Sequence, residues 1–280
     1  MDSPVANSES QVTLPSSPVV SDRFRVGFAT DIGRRRSQNQ DNLAIAADLG
    51  LFMVADGMGG HQGGEIASSI ATQVVPRIVR EGQVNSSWDP RLLVSHAIRN
   101  ANAAIYKRAL ETPSLHGMGT TTTALLFKND HLYIGHVGDS RCYLFRNGSP
   151  SELACWQVTR DHSLVQEKLR AGLITRDEIK TDRMKNVITR SVGFEQDVNV
   201  ETYHVLTKPG DVFLICSDGL SGLINEKEIL QIVRTELSKF ESNNPPHLGA
   251  QVEQTVRQLI AAANANGGDD NITSVVIEVL

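Results

Sequence analysis

Five aspartates share one placement in this chain: each lies at one end of a short apolar stretch, beside glycine or in a turn. Asp56 follows the apolar run 51–55, Asp139 follows His131–Val137, and Asp218 follows Val212–Cys216. Asp270 sits in Gly267-Gly268-Asp269-Asp270-Asn271, just before Ile272–Val279, and Asp41 follows Asn39-Gln40 and opens another short strand. A strand end holds a side chain rigidly, and adjacent glycine lets backbone carbonyls approach the same point. A lone Asp-Gly pair usually does no more than make a turn. Several in one context bring their carboxylates together if the strands end on one edge. Gathered carboxylates repel, so they call for cations or for protons. A site of oxygens alone suits Mg²⁺ or Mn²⁺, which keep several waters and rarely take thiolate or histidine-rich cages.

Other familiar chemistries lack their residues. Read from Gly57, the dinucleotide pattern G-x-G-x-x-G puts Gln62 where the last glycine belongs, and no parallel β-α-β pattern surrounds it. The phosphate-binding G-x-x-x-x-G-K-[ST] and the zinc motif H-E-x-x-H are absent. Gly138-Asp139-Ser140 begins like a hydrolase elbow, but Cys142 replaces its second glycine. The three cysteines, Cys142, Cys155 and Cys216, form no C-x-x-C pair, which argues against a disulfide framework or a zinc site.

The chain has 280 residues, 40% hydrophobic and 21% charged, enough for one large domain or two small ones with a sizeable core. Its net charge of −5 offers a polyanion little attraction. The N-terminus lacks the basic and apolar regions of a secretory leader, and no stretch nears the ~20 apolar residues of a membrane span. The expectation is a cytoplasmic monomer with neither nucleic acid nor membrane as partner.

The elements that must position the aspartates are legible in outline. Residues 1–21, rich in Ser, Pro and Val without periodicity, read as a disordered tail, and 22–280 as the folded domain. Strands are expected at 24–28, 51–55, 121–127, His131–Val137, 141–146, Val212–Cys216 and Ile272–Val279, with Asn147-Gly148 as a hairpin turn. Apolar residues recurring at three and four predict helices at 64–80, 90–110, 226–237 and 251–263. Hairpin-clustered strands and paired helices make this an α+β chain: two antiparallel sheets face to face in a β-sandwich, with helices outside. Residues 160–190 stand apart, with eight Lys or Arg against five Asp or Glu, a basic insert on an acidic body. Their apolar residues suffice for one or two short helices, and the insert reads as a mobile flap beside the aspartates.

Five short motifs occur in order: Arg36-Ser37-Gln38-Asn39-Gln40-Asp41, Val54-Ala55-Asp56-Gly57-Met58-Gly59-Gly60-His61, Gly138-Asp139-Ser140-Arg141, Ser217-Asp218-Gly219-Leu220 and Gly268-Asp269-Asp270-Asn271. With Gly119-Thr120-Thr121 and Thr189-Arg190-Ser191-Val192-Gly193, the set resembles the bacterial branch of the protein phosphatase 2C family, over residues 21–280. The resemblance implies an α-β-β-α sandwich that hydrolyses phosphoserine and phosphothreonine in proteins, using two or three Mn²⁺ or Mg²⁺ ions. By that likeness Asp56 bridges two metals, with a water acidified between them, and the Gly57 carbonyl reaches the second. Asp218 and Asp270 complete the first site, and Asp139 with Asp218 holds a third. Asp41 and Gln40 orient metal waters; Gln40 stands where many members have Glu, which weakens the negative field of the second site. Arg36 binds the phosphate. His61 is the candidate general acid, although eukaryotic members place a histidine directly after Asp-Gly, where this chain has Met58. Phosphoproteins made by Ser/Thr kinases are the implied partners. The alternatives are a weakly catalytic phosphoprotein-binding module, against which Asp56, Asp218 and Asp270 are all present, and a nucleotide phosphatase, against which stand 5% aromatics and an acidic body.

Overall fold

The computed structural model describes residues 17–84, 88–149, 152–241 and 249–280. Its strands are β1 (Val19–Val20), β2 (Phe24–Asp31), β3 (Asp41–Ala46), β4 (Leu51–Met58), β5 (Gly119–Thr120), β6 (Thr122–Lys128), β7 (His131–Val137), β8 (Arg141–Ser149), β9 (Glu152–Gln157), β10 (Glu201–Leu206), β11 (Val212–Cys216) and β12 (Ile272–Val279). One sheet runs β1-β2-β12-β11-β8-β9, the other β10-β7-β6-β4-β3, with β5 paired to the end of β4. All of these pairings are antiparallel.

The central strands are continuous apolar runs because both of their faces are covered. Along β4, Phe52 and Val54 enter the core between the sheets, while Leu51, Met53 and Ala55 face the helices. β11 alternates likewise, with Phe213 and Ile215 inside and Val212, Leu214 and Cys216 outside. Phe24, Phe52, Phe127 and Phe213 meet edge-on or tilted between the sheets, with ring centroids 4.9–5.8 Å apart. The period of two has a consequence for the acids. Asp56 has the parity of Phe52 and Val54, Asp41 that of Leu43, and Ser217 that of Phe213 and Ile215, so all three sit on the inner faces at the sheet ends.

The helices are α1 (Gly60–Val84), α2 (Pro90–Glu111), α3 (Leu164–Arg170), α4 (Asp218–Ser221), α5 (Glu226–Glu241) and α6 (Ala250–Ala265). α1 and α2 cover the β4 sheet; α5 and α6 cover the β11 sheet. Leu93, Val94, Ala97, Ile98, Ala101, Ile105 and Ala109 form the buried stripe of α2. Asp89 caps its first turn by accepting from the Arg91 and Leu92 amides.

Several local expectations are corrected. β4 continues through Gly57 to Met58, so Asp56 lies within the strand and not after it. Asn147-Gly148 belongs to β8, where the register with β9 shifts between Asn147 and Ser149, so it is not the expected turn; residues 150–151 lie outside the described ones. The edge strands β9 and β10 carry little sequence signal, since β10 (Glu-Thr-Tyr-His-Val-Leu) is only partly covered. The expected tail is shorter at its end, because Val19 and Val20 pair with Val26 and Arg25; residues 1–16 lie outside the described ones.

Candidate active site

Asp41 and Asp56 are direct cross-strand partners in β3 and β4. From the opposite sheet, the Ser217 hydroxyl at the end of β11 donates to Asp41 Oδ2 at 2.7 Å and accepts the Thr273 amide of β12 at 2.9 Å. Asp41 is thus stitched across the sandwich to the strands that carry Asp218 and Asp270. Asn271 makes a second stitch. Its side chain accepts the Gln40 amide at 2.9 Å and donates to the Ile32 and Gln38 carbonyls at 3.0 and 2.9 Å, which ties the loop bearing Arg36 to the loop bearing Asp270. The sequence marks Ser217 and Asn271 only by their positions beside Asp218 and Asp270.

On the other side of Asp56, Thr121 accepts the Asp56 amide through its hydroxyl at 3.0 Å and donates its own amide to the Asp56 carbonyl at 2.8 Å. The same hydroxyl lies 2.7 Å from Ser140 Oγ, so the backbone of Asp56 is linked to the turn that carries Asp139. Gly57 meets the first turn of α1 backbone to backbone: a Cβ on Gly64 would stand 2.6 Å from the Gly57 carbonyl carbon. This close approach is why glycine occupies both positions. The Gly57 amide donates to the Gln40 carbonyl at 3.1 Å, so Gln40, Asp41, Asp56 and Gly57 form one unit. Arg141 pairs bidentately with Asp161 and so holds a carboxylate of the chain itself.

The electrostatics show how close the acids stand. Burial pushes the Asp41 carboxyl from 3.8 up to about 7, against hydrogen bonds from Thr273 and Ser217 that oppose the rise, with Asp218 and Asp270 adding to it. Asp56 is raised well above the ordinary range by burial and then by Asp41, Asp218, Asp139 and Asp270. Asp139 is raised by burial and then by Asp218 and Asp161, and Asp218 by burial and then by Asp270. Arg36 reaches in from the rim, its Nη2 donating to Asp270 Oδ2 at 2.7 Å. Buried oxygens of Asp41, Asp139 and Asp218 (Oδ1 in each) have no hydrogen-bond partner.

Repelling carboxylates with buried, unpartnered oxygens fit a divalent cation. The donors are all oxygen, which favours Mn²⁺ or Mg²⁺. Among the described residues no three His, Cys, Asp or Glu groups cage an ion unaided. Ions held there would keep part of their water, the habit of these two metals. The structure gathers Arg36, Gln40, Asp41, Asp56, Gly57, Asp139, Asp218 and Asp270. His61 lies in the first turn of α1, but its side chain is outside the described residues.

A family model described as "Protein phosphatase 2C" matches residues 32–259. The chain belongs to the protein phosphatase 2C family. It is 34% identical over 255 residues to the serine/threonine phosphatase stp of Listeria innocua, covering 90% of this chain and 94% of that one. It is 32% identical over 259 residues to the protein phosphatase PhpP of Streptococcus pneumoniae, covering 91% and 98%. Among solved structures, the serine/threonine phosphatase PstP/Ppp of Mycobacterium tuberculosis superposes with a TM-score of 0.78 at 31% identity, over 91% of this chain and 98% of that one. The catalytic domain of PstP in complex with two manganese ions gives a TM-score of 0.76 at 31% identity, over 92% and 99%. The family, the two-sheet fold and the class of serine/threonine protein phosphatase implied by the five motifs are borne out.

Proposed function

We propose that this protein phosphatase 2C chain removes phosphate from phosphoserine and phosphothreonine in proteins, with two or three Mn²⁺ or Mg²⁺ ions held among Asp56, Gly57, Asp139, Asp218 and Asp270. The observation that carries this reading is the meeting of carboxylates from both sheets at one edge, three of them with an unpartnered buried oxygen. When bound, the ions supply Lewis acidity, which acidifies water and neutralises charge on phosphoryl oxygens. The chain supplies the rest. Asp56, central among the acids, would be the shared ligand; Asp218 and Asp270 would complete one site, and Asp139 with Asp218 another. Asp41, fixed by Ser217, and Gln40 would orient the waters. His61 donates the proton to the departing alkoxide. Hydrolysis of a phosphothreonine peptide, a nucleotide and DNA, compared with and without Mn²⁺, tests the reading: turnover of the peptide alone, with Mn²⁺ alone, is expected. Equal turnover of the nucleotide would make this a nucleotide phosphatase.

Arg36 makes one hydrogen bond among the described residues, to Asp270, which leaves guanidinium donors for a phosphate at the rim. Arg36→Ala should raise KM by roughly tenfold or more, as loss of a charged hydrogen bond does, with a smaller fall in kcat. Unchanged steady-state kinetics would pass the role to Arg34 or Arg35.

The basic segment 160–190 leaves the body beside the acids. Ser163 pairs with Ile188, and the Leu164 amide donates to the Val187 carbonyl at 2.9 Å, closing the base of the loop. Inside it lie α3, a short 3₁₀ turn at Glu178–Lys180 and the Lys168–Asp182 ion pair. Arg176, Arg183 and Lys185 are exposed. This flap recruits acidic phosphoprotein surfaces by charge. Replacing those three residues with Ala should lower kcat/KM on a phosphoprotein several-fold and leave p-nitrophenyl phosphate nearly unaffected. Equal losses on both substrates would assign the segment to support of the catalytic site.

In this reading phosphoproteins made by Ser/Thr kinases are the substrates, and the chain acts in signal transduction as a cytoplasmic monomer. Cys142, Cys155 and Cys216 are unpaired, in keeping with a reducing compartment, and no described helix is long and apolar enough to cross a membrane.

A further inference from the structure

We infer that His162, a residue outside the aspartate cluster, is a positioning residue for Asp139: it clasps both polar groups of Gly138 and so sets the turn that presents the carboxylate. The inference rests on Asp139 being a metal ligand. The His162 amide donates to the Gly138 carbonyl at 2.8 Å, and the Gly138 amide donates back to His162 Nδ1 at 3.1 Å. Gly138 has φ of +109°, and a Cβ there would stand 2.6 Å from the Thr121 side chain, so no other residue suits this turn. A glycine is also the residue least able to hold its own conformation. The clasp supplies what the glycine lacks.

The ring is itself fixed. Nδ1 accepts a peptide N–H and so carries no proton, which leaves Nε2–H to donate to Glu201 Oε2 at 2.9 Å. Arg190 Nη1 lies 3.2 Å from the same nitrogen, but both are donors, and Arg190 bonds the Asn199 carbonyl at 3.1 Å instead. Burial lowers the pKa of His162, in keeping with a neutral ring. The His136 ring packs against it at 4.8 Å, held by Thr123 Oγ1 and the Arg160 carbonyl at 2.9 Å each. The His162 carbonyl accepts the Thr189 amide at 2.8 Å, so the residue also joins the two ends of the 160–190 segment. Flap base and Asp139 turn therefore share one anchor. Carboxylates that bind metal depend on such outer partners for their aim.

The test is calorimetric Mn²⁺ titration of the full chain and of Asp139→Asn, His162→Ala and His162→Asn, with amide hydrogen exchange followed at Gly138. Asp139→Asn should lose one class of Mn²⁺ site. His162→Ala should weaken that same class by roughly 10–100-fold, the usual cost of removing a ligand's outer partner, and leave the other classes alone. Exchange at Gly138 should quicken. His162→Asn, whose amide oxygen can take the place of Nδ1, should restore most of the affinity and the protection. If Asp139→Asn alters Mn²⁺ binding and His162→Ala does not, the clasp is overturned while the ligand reading stands. If Asp139→Asn binds as wild type, the ligand reading falls and takes the clasp with it. Equal losses in Ala and Asn variants, with equal drops in melting temperature, would mean general destabilisation and would also overturn the positioning role.

Discussion

Asp56→Asn and Asp218→Asn, each saturated with Mn²⁺, are expected to lose at least about 1000-fold in kcat on a phosphothreonine peptide, because several kcal/mol of charge stabilisation would depend on the ions proposed to bind them. Asn offers one neutral oxygen in place of a charged pair. The fold should survive both changes. The backbone bonds of Asp56 to Thr121 do not involve its carboxylate, and Asn keeps them. Repulsion from Asp41, Asp218, Asp139 and Asp270 is part of what raises the Asp56 pKa, so removing this charge relieves strain in metal-free protein. In chelator the melting temperature of Asp56→Asn should equal or exceed that of the wild type. Near-wild-type kcat in either variant would remove these aspartates from the ligand set, and a collapsed fold would mean that they serve structure first.

Chelation should abolish turnover, Mn²⁺ should restore it, and the dependence of stability on pH should change with the metal. Burial lifts Asp41 from 3.8 to about 7, and Asp56 and Asp139 are also raised by burial and by their acidic neighbours. A folded-state pKa raised in this way stabilises the protein fully below the unfolded value, and that contribution disappears as pH climbs through the folded one. His136, which burial lowers from 6.5 to about 4, acts oppositely below 6.5: its contribution is present above that value and lost as pH falls. The acids therefore show most clearly above it. In EDTA the melting temperature should fall between about pH 6.5 and pH 8, by a few degrees for one or two protons' worth of linkage. With Mn²⁺ the fall should vanish or reverse, since the metal takes the deprotonated carboxylates and binds better as pH rises. A melt in EDTA that stays flat across that range, or turnover that persists there, would contradict the charged, metal-requiring cluster.

What could be read from sequence was whatever depends on neighbours along the chain. β7, β11 and β12 have the expected bounds because each is an apolar run that ends at a turn, and the four long helices follow from apolar residues at three and four. The aspartates stood out because each borders such a run, and the family was legible because five short motifs keep their order. Local signals also misled. Asn147-Gly148 has turn chemistry, yet pairing with β9 draws it into a strand, since the bonds of a ladder outweigh the preference of a dipeptide. β10 was missed because its partner β7 and the fold around it, more than its own half-polar sequence, make it a strand. The strand order, with β12 seated between β2 and β11, appears nowhere in the local pattern. Nor does the bond from Ser217 to Asp41, which joins residues 176 apart, or that from Asn271 to Gln40, which joins residues 231 apart. Sequence alone marked the aspartates as candidate metal ligands and outlined the elements that carry them. Tertiary structure decided that two sheets end at one edge, that Ser217 and Asn271 sew them together there, and that His162 holds the turn before Asp139. Residues so far apart in the chain meet only once the sheets have packed, because the apolar faces between them determine where each strand ends.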